Sequence, residues 1–285
     1  MQLTLDQVIK SRDVEDPVNL HVHRSIQLVL LRPALALGLT PNQVTFLSAC
    51  AGVGAAACFV RGTPLSMLVG AGLLFSSAIL DGVDGMVARI TRKSSETGHA
   101  IDGAADWLVN VTTFAAAAYH LGEQTRHPWV AALLALAAHL AWMHHLMLYD
   151  HHAATFLRHL TGGRHQGGDL ERARTLAERL AREHAPLHLR VLTAIYAAQL
   201  GNRDRFLRRV IGAPPPEEGA AYVERHRGAM RAWAWLGNAP HMDGMVLAAA
   251  ADRFDVYFLA RIVGFTALAL SLSLRARAPS PRTAP

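Results

Sequence analysis

Residues 81–106 read DGVDGMVARITRKSSETGHAIDGAAD, and the fold turns on how this stretch is interpreted. Asp81 and Asp84 are three apart and Asp102 and Asp106 four apart, so on helices each pair occupies one face. The polar turn between them lets the two helices lie antiparallel, and four carboxylates then converge. Left bare they repel one another and resist desolvation near a bilayer. Two divalent cations, Mg2+ or Mn2+, resolve this, because all-oxygen donors suit these ions. Two such ions about 4 Å apart can also clamp a phosphoryl group for in-line displacement. Gly85, Ala88 and Gly98 are small and leave room for a ligand or a close helix approach. Arg89, one turn beyond Gly85, is placed to meet phosphate oxygens.

Working outward, the surroundings of this stretch are membrane-like. The chain has 285 residues, 51% hydrophobic but only 7% aromatic, so its apolar content is mostly Ala, Leu and Val, as packed membrane helices require. Runs of about 20 apolar residues point to spanning helices. The pattern predicts spans at Val44–Val60, Leu65–Arg89, 98–121, 129–149, 229–250 and 254–274, the fifth interrupted by Gly237, Asn238, Pro240, His241 and Asp243. Asp16-Pro17 starts a helix that carries Leu20, Ile26, Val29, Leu30 and Leu31 and lies on the membrane surface. After Tyr149 the composition turns polar. Asp169 caps one amphipathic helix and Pro186 begins a second, ending near Val210 and Pro214-Pro215-Pro216.

The expected architecture is an all-α integral membrane protein of six transmembrane helices. An N-terminal segment with an interfacial helix covers 1–41, spans one to four 42–152, a cytoplasmic helical insertion 153–227, spans five and six 228–274, and a disordered tail 275–285. With the N-terminus inside, 23 of the 28 Lys and Arg fall in inner segments, and only Arg61, Arg126 and Arg253 in outer loops. That bias sets both termini and the 81–106 stretch on the cytoplasmic side. The net charge of +6 therefore reads as membrane-facing; no nucleic-acid signature accompanies it. Cys50 and Cys58, eight apart on one helix, cannot pair.

The positions Asp81, Asp84, Gly85, Ala88, Arg89, Gly98, Asp102 and Asp106 follow D-x2-D-G-x2-A-R-x8-G-x3-D-x3-D, which resembles the signature of the CDP-alcohol phosphotransferases. Thr40, Pro41, Asn42 and Thr45 resemble that family's usual entry to the first span. The resemblance implies a cytoplasmic site where Asp81, Asp84, Asp102 and Asp106 bind two metals and the donor pyrophosphate. Asp106 would also serve as the base. It further implies that Asn42, Thr45, Gly85, Ala88, Arg89 and Ser95 contact nucleotide or phosphate. The expected partners are a CDP-alcohol donor (CDP-diacylglycerol or a soluble one), an acceptor alcohol, membrane lipids and a second copy in a homodimer. The implied activity is transfer of a phospho-alcohol group, phosphatidyl in phospholipid synthesis, with release of CMP. A cation transporter and a Mg2+-dependent membrane prenyltransferase are the alternatives; four acidic groups at one end argue against the first, and Gly85, Ala88 and Arg89 against the second.

Three further features invite a reading. The group His139, His144, His145, His151 and His152 resembles a metal site but is read as interfacial, wetted or paired with Asp150. Arg231 and Arg261 lie within predicted spans, where a guanidinium is costly unless it faces the interior. Arg231, at the depth of the aspartates, is a candidate contact for an acceptor phosphate; Arg261 lies deeper and is expected to pair with Asp243.

Overall fold

Helix starts are written in Asp-Pro and Thr-Pro pairs. The computed structural model describes residues 9, 11–93, 96–162, 170–210 and 219–277. Asp16 accepts a hydrogen bond from the Asn19 amide at 2.7 Å and opens a π-turn, Asn19–His23, that runs into α1, Arg24–Ala36. Thr40 and Gln43 form a reciprocal capping box at the head of α2, Pro41–Arg61. Thr63 caps α3, Pro64–Thr91. Proline suits these first turns because its missing N–H has no intrahelical acceptor there anyway. The chain continues as α4 (Glu96–Thr125), α5 (Pro128–Leu160), α6 (Leu170–Arg182), α7 (Leu187–Val210), α8 (Gly219–Trp233) and α9 (Asn238–Ala250). It ends as α10 (Phe254–Leu259), a π-turn (Ala260–Phe265) and α11 (Thr266–Arg277). All regular elements among the described residues are helical.

Among the described residues, four helices are long and apolar enough to cross a bilayer: α2, α3, α5 and the Phe254–Ala276 run that joins α10 to α11. The protein is thus an all-helical, multi-pass membrane protein. The third expected span, α4, is long but begins with the polar Glu96–Asp106 segment and does not reach the same apolar measure. The fifth, expected as one helix over 229–250, is two. α8 ends at Trp233, a 3-10 turn covers Ala234–Leu236, and Gly237 is extended before α9 restarts. A Cβ on Gly237 would sit 3.2 Å from an Asp16 carboxylate oxygen, so the break makes room for the N-terminal segment. Asp169 and Pro214–Pro216 lie outside the described residues. Of the expected tail, 275–277 are helical and the rest lies outside.

Helix α2 packs between α3 and α4. Small residues allow it. Ser48 and Ser77 each donate to the other's backbone carbonyl at 2.9 Å, and a Cβ on Gly52 would meet Val109 at 2.5 Å. Such close, hydrogen-bonded contacts replace the hydrophobic drive that lipid cannot supply. Val53, Leu65, Leu133 and Leu247 are exposed, as lipid-facing residues would be.

The N-terminal helix divides its faces between the bundle and the outside. Glu15, Asp16, His23, Arg24 and Gln27 are buried, whereas Val22, Val29 and Leu37 are exposed. A helix resting on a membrane keeps its polar face to water; here that face is spent on the bundle, with α1 packed along α3. The two insertion helices pack on each other through Ala173, Ala197 and Leu200. α7 also rests on α4 and α5. Arg203 approaches Asp150 at 3.9 Å, and Phe206 meets the His144 ring edge-on at 5.0 Å.

Candidate active site

The final turns of α3 carry Asp81 and Asp84; the first turns of α4 carry Asp102 and Asp106. Between them α3 stops because Arg92 takes a left-handed conformation, φ 54°, and the Lys93 amide closes back onto the Ala88 carbonyl at 3.0 Å. Antiparallel return then does what the spacing predicts. Asp81, Asp84 and Asp102 each offer a carboxylate oxygen, and these oxygens all lie within 4.8 Å of one another. Asp106 stands outside this trio, one turn beyond Asp102 on α4 and beside Asp81.

Thr45 belongs to the cluster. Its hydroxyl is 2.5 Å from Asp84 Oδ2 and 3.0 Å from the Pro41 carbonyl, so α2 fixes the rotamer of a carboxylate on α3. Asn42, one turn earlier, is exposed at the head of α2. Gly85 and Arg89 also come together: a Cβ on Gly85 would lie 3.6 Å from the Arg89 guanidinium, which folds back one turn over the glycine. Ala88 is half-buried beside them. Ser95 lies outside the described residues.

Arg231 does not join the cluster. It is on α8, its side chain 68% exposed, and its guanidinium bonds Asp13 at 3.3 Å, as does that of the neighbouring Arg227. Asp13, on the N-terminal segment, supplies an anionic partner where the sequence reading expected an acceptor phosphate. Arg261 does not pair with Asp243 either. Asp243 takes a bifurcated contact from His23 Nε2 at 3.0 and 3.1 Å, and Arg261 donates to the His241 carbonyl. The expected interfacial histidines also divide. His144 bonds its own helix at the Leu140 carbonyl, and His152 stacks on Trp233 at 4.2 Å. His145 is buried and bonds Thr266 at 3.1 Å. No histidine enters a metal-competent grouping among the described residues.

The sequence reading missed the floor of the site. Gln27, 1% exposed, lies against α3 so closely that a Cβ on Gly82, between the two aspartates, would fall within its amide. Gln27 accepts from Arg24 at 2.8 Å, and Arg24 holds Glu15 with contacts of 2.8 and 3.0 Å. The pair is internally neutral, as a buried pair must be. A signal existed: Glu15, Asn19, His23 and Gln27 recur every four residues, one polar stripe along a helix. Its i,i+4 spacing was visible in the sequence, but not the side it faces.

Chemically, three mutually close carboxylates with no nitrogen or sulfur donor among them fit a hard divalent cation. Asp106 is a fourth carboxylate beside this set rather than in it.

Comparison with known proteins agrees with this geometry. Residues 38–177 match the model of the CDP-alcohol phosphatidyltransferase family. The CDP-diacylglycerol–serine O-phosphatidyltransferase of Mycobacterium leprae (strain TN) is 36% identical over 105 residues, covering 36% of this chain and 34% of that protein. The enzyme of the same name from Mycobacterium tuberculosis (strain ATCC 25618 / H37Rv) is 35% identical over 105 residues, 36% of this chain and 35% of the relative. The chain thus spans about a third of the length of the relatives it matches. Residues 38–177, which hold all four aspartates and Thr45, are a domain of the CDP-alcohol phosphatidyltransferase family.

Proposed function

We propose that the protein transfers a phosphatidyl group from CDP-diacylglycerol to the hydroxyl of a small polar acceptor, releasing CMP, in phospholipid synthesis. The observation that carries this is the carboxylate trio at 4.8 Å, held by α2 and by the turn at Arg92. Asp81, Asp84 and Asp102 would hold divalent cations, Mg2+ or Mn2+ and two in number. When bound, these neutralise the donor pyrophosphate and the charge that develops on it. Arg89 and Asn42 would meet donor phosphates and nucleotide, a role the sequence also gives to Ser95. Thr45 keeps Asp84 oriented, and Gly85 leaves space for the phosphates beside Arg89. Asp106 removes the proton from the acceptor hydroxyl as its oxygen attacks the β-phosphorus. The bond from that phosphorus to the bridging oxygen breaks, and CMP leaves with the bridging oxygen on its phosphate. The relatives' names make serine the first acceptor to test. The six-span count, the cytoplasmic site and the homodimer belong to the same proposal.

Purified protein incubated with CDP-diacylglycerol and a panel of acceptors should release CMP only with Mg2+ or Mn2+ and form the matching phospholipid. Equal CMP release in the presence of EDTA would refute it. Orientation has its own test, in a background lacking Cys50 and Cys58. A single cysteine placed on α6 should resist impermeant thiol reagents added outside intact cells, and labelling there would invert the topology.

A further inference from the structure

We infer that the bundle holds a second ligand site, for a small monovalent anion such as chloride, built from Arg261, His241 and His145 and distinct from the carboxylate cluster. Arg261 is 1% exposed, on a helix apolar and long enough to span a bilayer. Among the described residues, its hydrogen bond runs from Nη2 to the His241 carbonyl at 3.1 Å. The rings of Tyr257 and Phe114 cover it at 4.6 and 5.3 Å. Nε and Nη1 are buried with no hydrogen-bond partner, and among the described residues no carboxylate pairs with it. Its neighbours deepen the imbalance. His241 is fully buried with both ring nitrogens unpartnered, and His145, stacked on it at 5.6 Å, has a buried, unpartnered Nδ1.

A guanidinium is only a donor, and a neutral imidazole always brings one N–H. The cluster is therefore rich in donors and lacks a negative charge. Leaving a cation so enclosed is costly, and ring faces return only part of that cost. A metal ion is a poor answer beside a guanidinium, since like charges repel. Among anions, a monatomic one needs the least room beside a residue that is 1% exposed. A monatomic anion supplies the missing charge and accepts several N–H groups at once. The chain has also distorted itself here: the π-turn Ala260–Phe265 inserts an extra residue that sets Arg261 and Phe265, whose ring lies 4.5 Å from that of His241, toward the same space.

The test uses the full-length protein in detergent, exchanged into gluconate. Adding about 100 mM chloride should raise Tm by about 2–4 °C, as a ligand bound only by the folded state does. Radiolabelled chloride should be retained saturably and displaced by bromide but not by gluconate. Arg261→Met should abolish retention, whereas Asp102→Asn should keep it, which separates this site from the carboxylates. Should Arg261→Met fail to fold, the wild-type protein still decides: crystals grown in bromide should show an anomalous peak beside Arg261. No saturable halide retention, or equal retention in Arg261→Met, overturns the proposal and leaves buried water as the partner of these nitrogens.

Discussion

Two charged clusters lie in one bundle, and they are built in opposite ways. The acidic one is local: its four carboxylates come from 26 residues of sequence, on two helices joined by one turn. The basic one is assembled from His145 on α5, His241 on α9 and Arg261 at the π-turn, residues that no short motif connects. A third arrangement, Glu15 with Arg24, neutralises itself. The difference teaches that buried charge is met either by groups gathered on one helical hairpin or by groups that packing brings together from distant elements. Only the first leaves a signature in the spacing of residues.

The sharpest way to break the comparison is in the acidic cluster. Asp102→Asn should lose both donor binding and turnover, because it removes a charge from the trio. Asp106→Asn should keep most donor affinity while turnover falls by about 10²-fold or more, the scale of a positioned base. Donor affinity and CMP release measured on both variants check this. If both fail to bind donor, Asp106 is a ligand first, and the base lies elsewhere.

The self-neutralised pair comes next. Removing one member of a buried ion pair strands the other, at a cost of about 3–5 kcal/mol. Arg24→Ala should therefore lower thermal stability severely, while Arg24→Met combined with Glu15→Leu should recover most of the loss. Melting curves of the two proteins in detergent measure it. Equal melting temperatures for Arg24→Ala and wild type would mean that Glu15 finds water, and that the floor of the site is wet.

The smallest expected effect concerns Asp16. Burial pushes its carboxyl up to about 6 from an ordinary 3.8, against the opposing bond from the Asn19 amide. A raised carboxyl binds its proton more tightly in the folded state, so stability falls as pH rises from about 4 to about 6 and stays at the lower level above. Asp16→Asn keeps the helix cap and removes the buried charge. It should flatten that segment of the pH–stability profile and stabilise the protein at pH 7.5 by about 1–3 kcal/mol. A fall in stability there would show that the carboxylate charge is needed at the break around Gly237.

How much was legible follows from where each element's information is stored. The carboxylate geometry was readable because helix periodicity converts spacing into a shared face, and the turn at Arg92 does the rest. The start of α7 was readable from Pro186, and its place on α4 was not: the Tyr196 ring comes within 3.9 Å of where a Cβ on Gly103 would be, a contact between segments far apart in sequence. The fifth span was marked as interrupted by its Gly, Asn and Pro residues, but those letters do not say that the chain splits into α8 and α9. Arg231 and Arg261 show the same limit. Cost in a membrane says that each needs a partner, and only packing chooses it: Asp13 for the first, a carbonyl and two rings for the second.

The inward-facing polar stripe before and along α1 bears on how the chain is made. Beyond the bonds inside its own segment, it reaches helices far along the chain: Gln27 against Gly82 on α3 and His23 with Asp243 on α9, 220 positions away, with the neighbouring Val14 carbonyl bonded to the Tyr149 hydroxyl on α5. A chain made from the N-terminus can gather its aspartates once α3 and α4 exist, whereas the His23–Asp243 contact waits for α9. The floor beneath the aspartates is thus completed after the turn that brings them together.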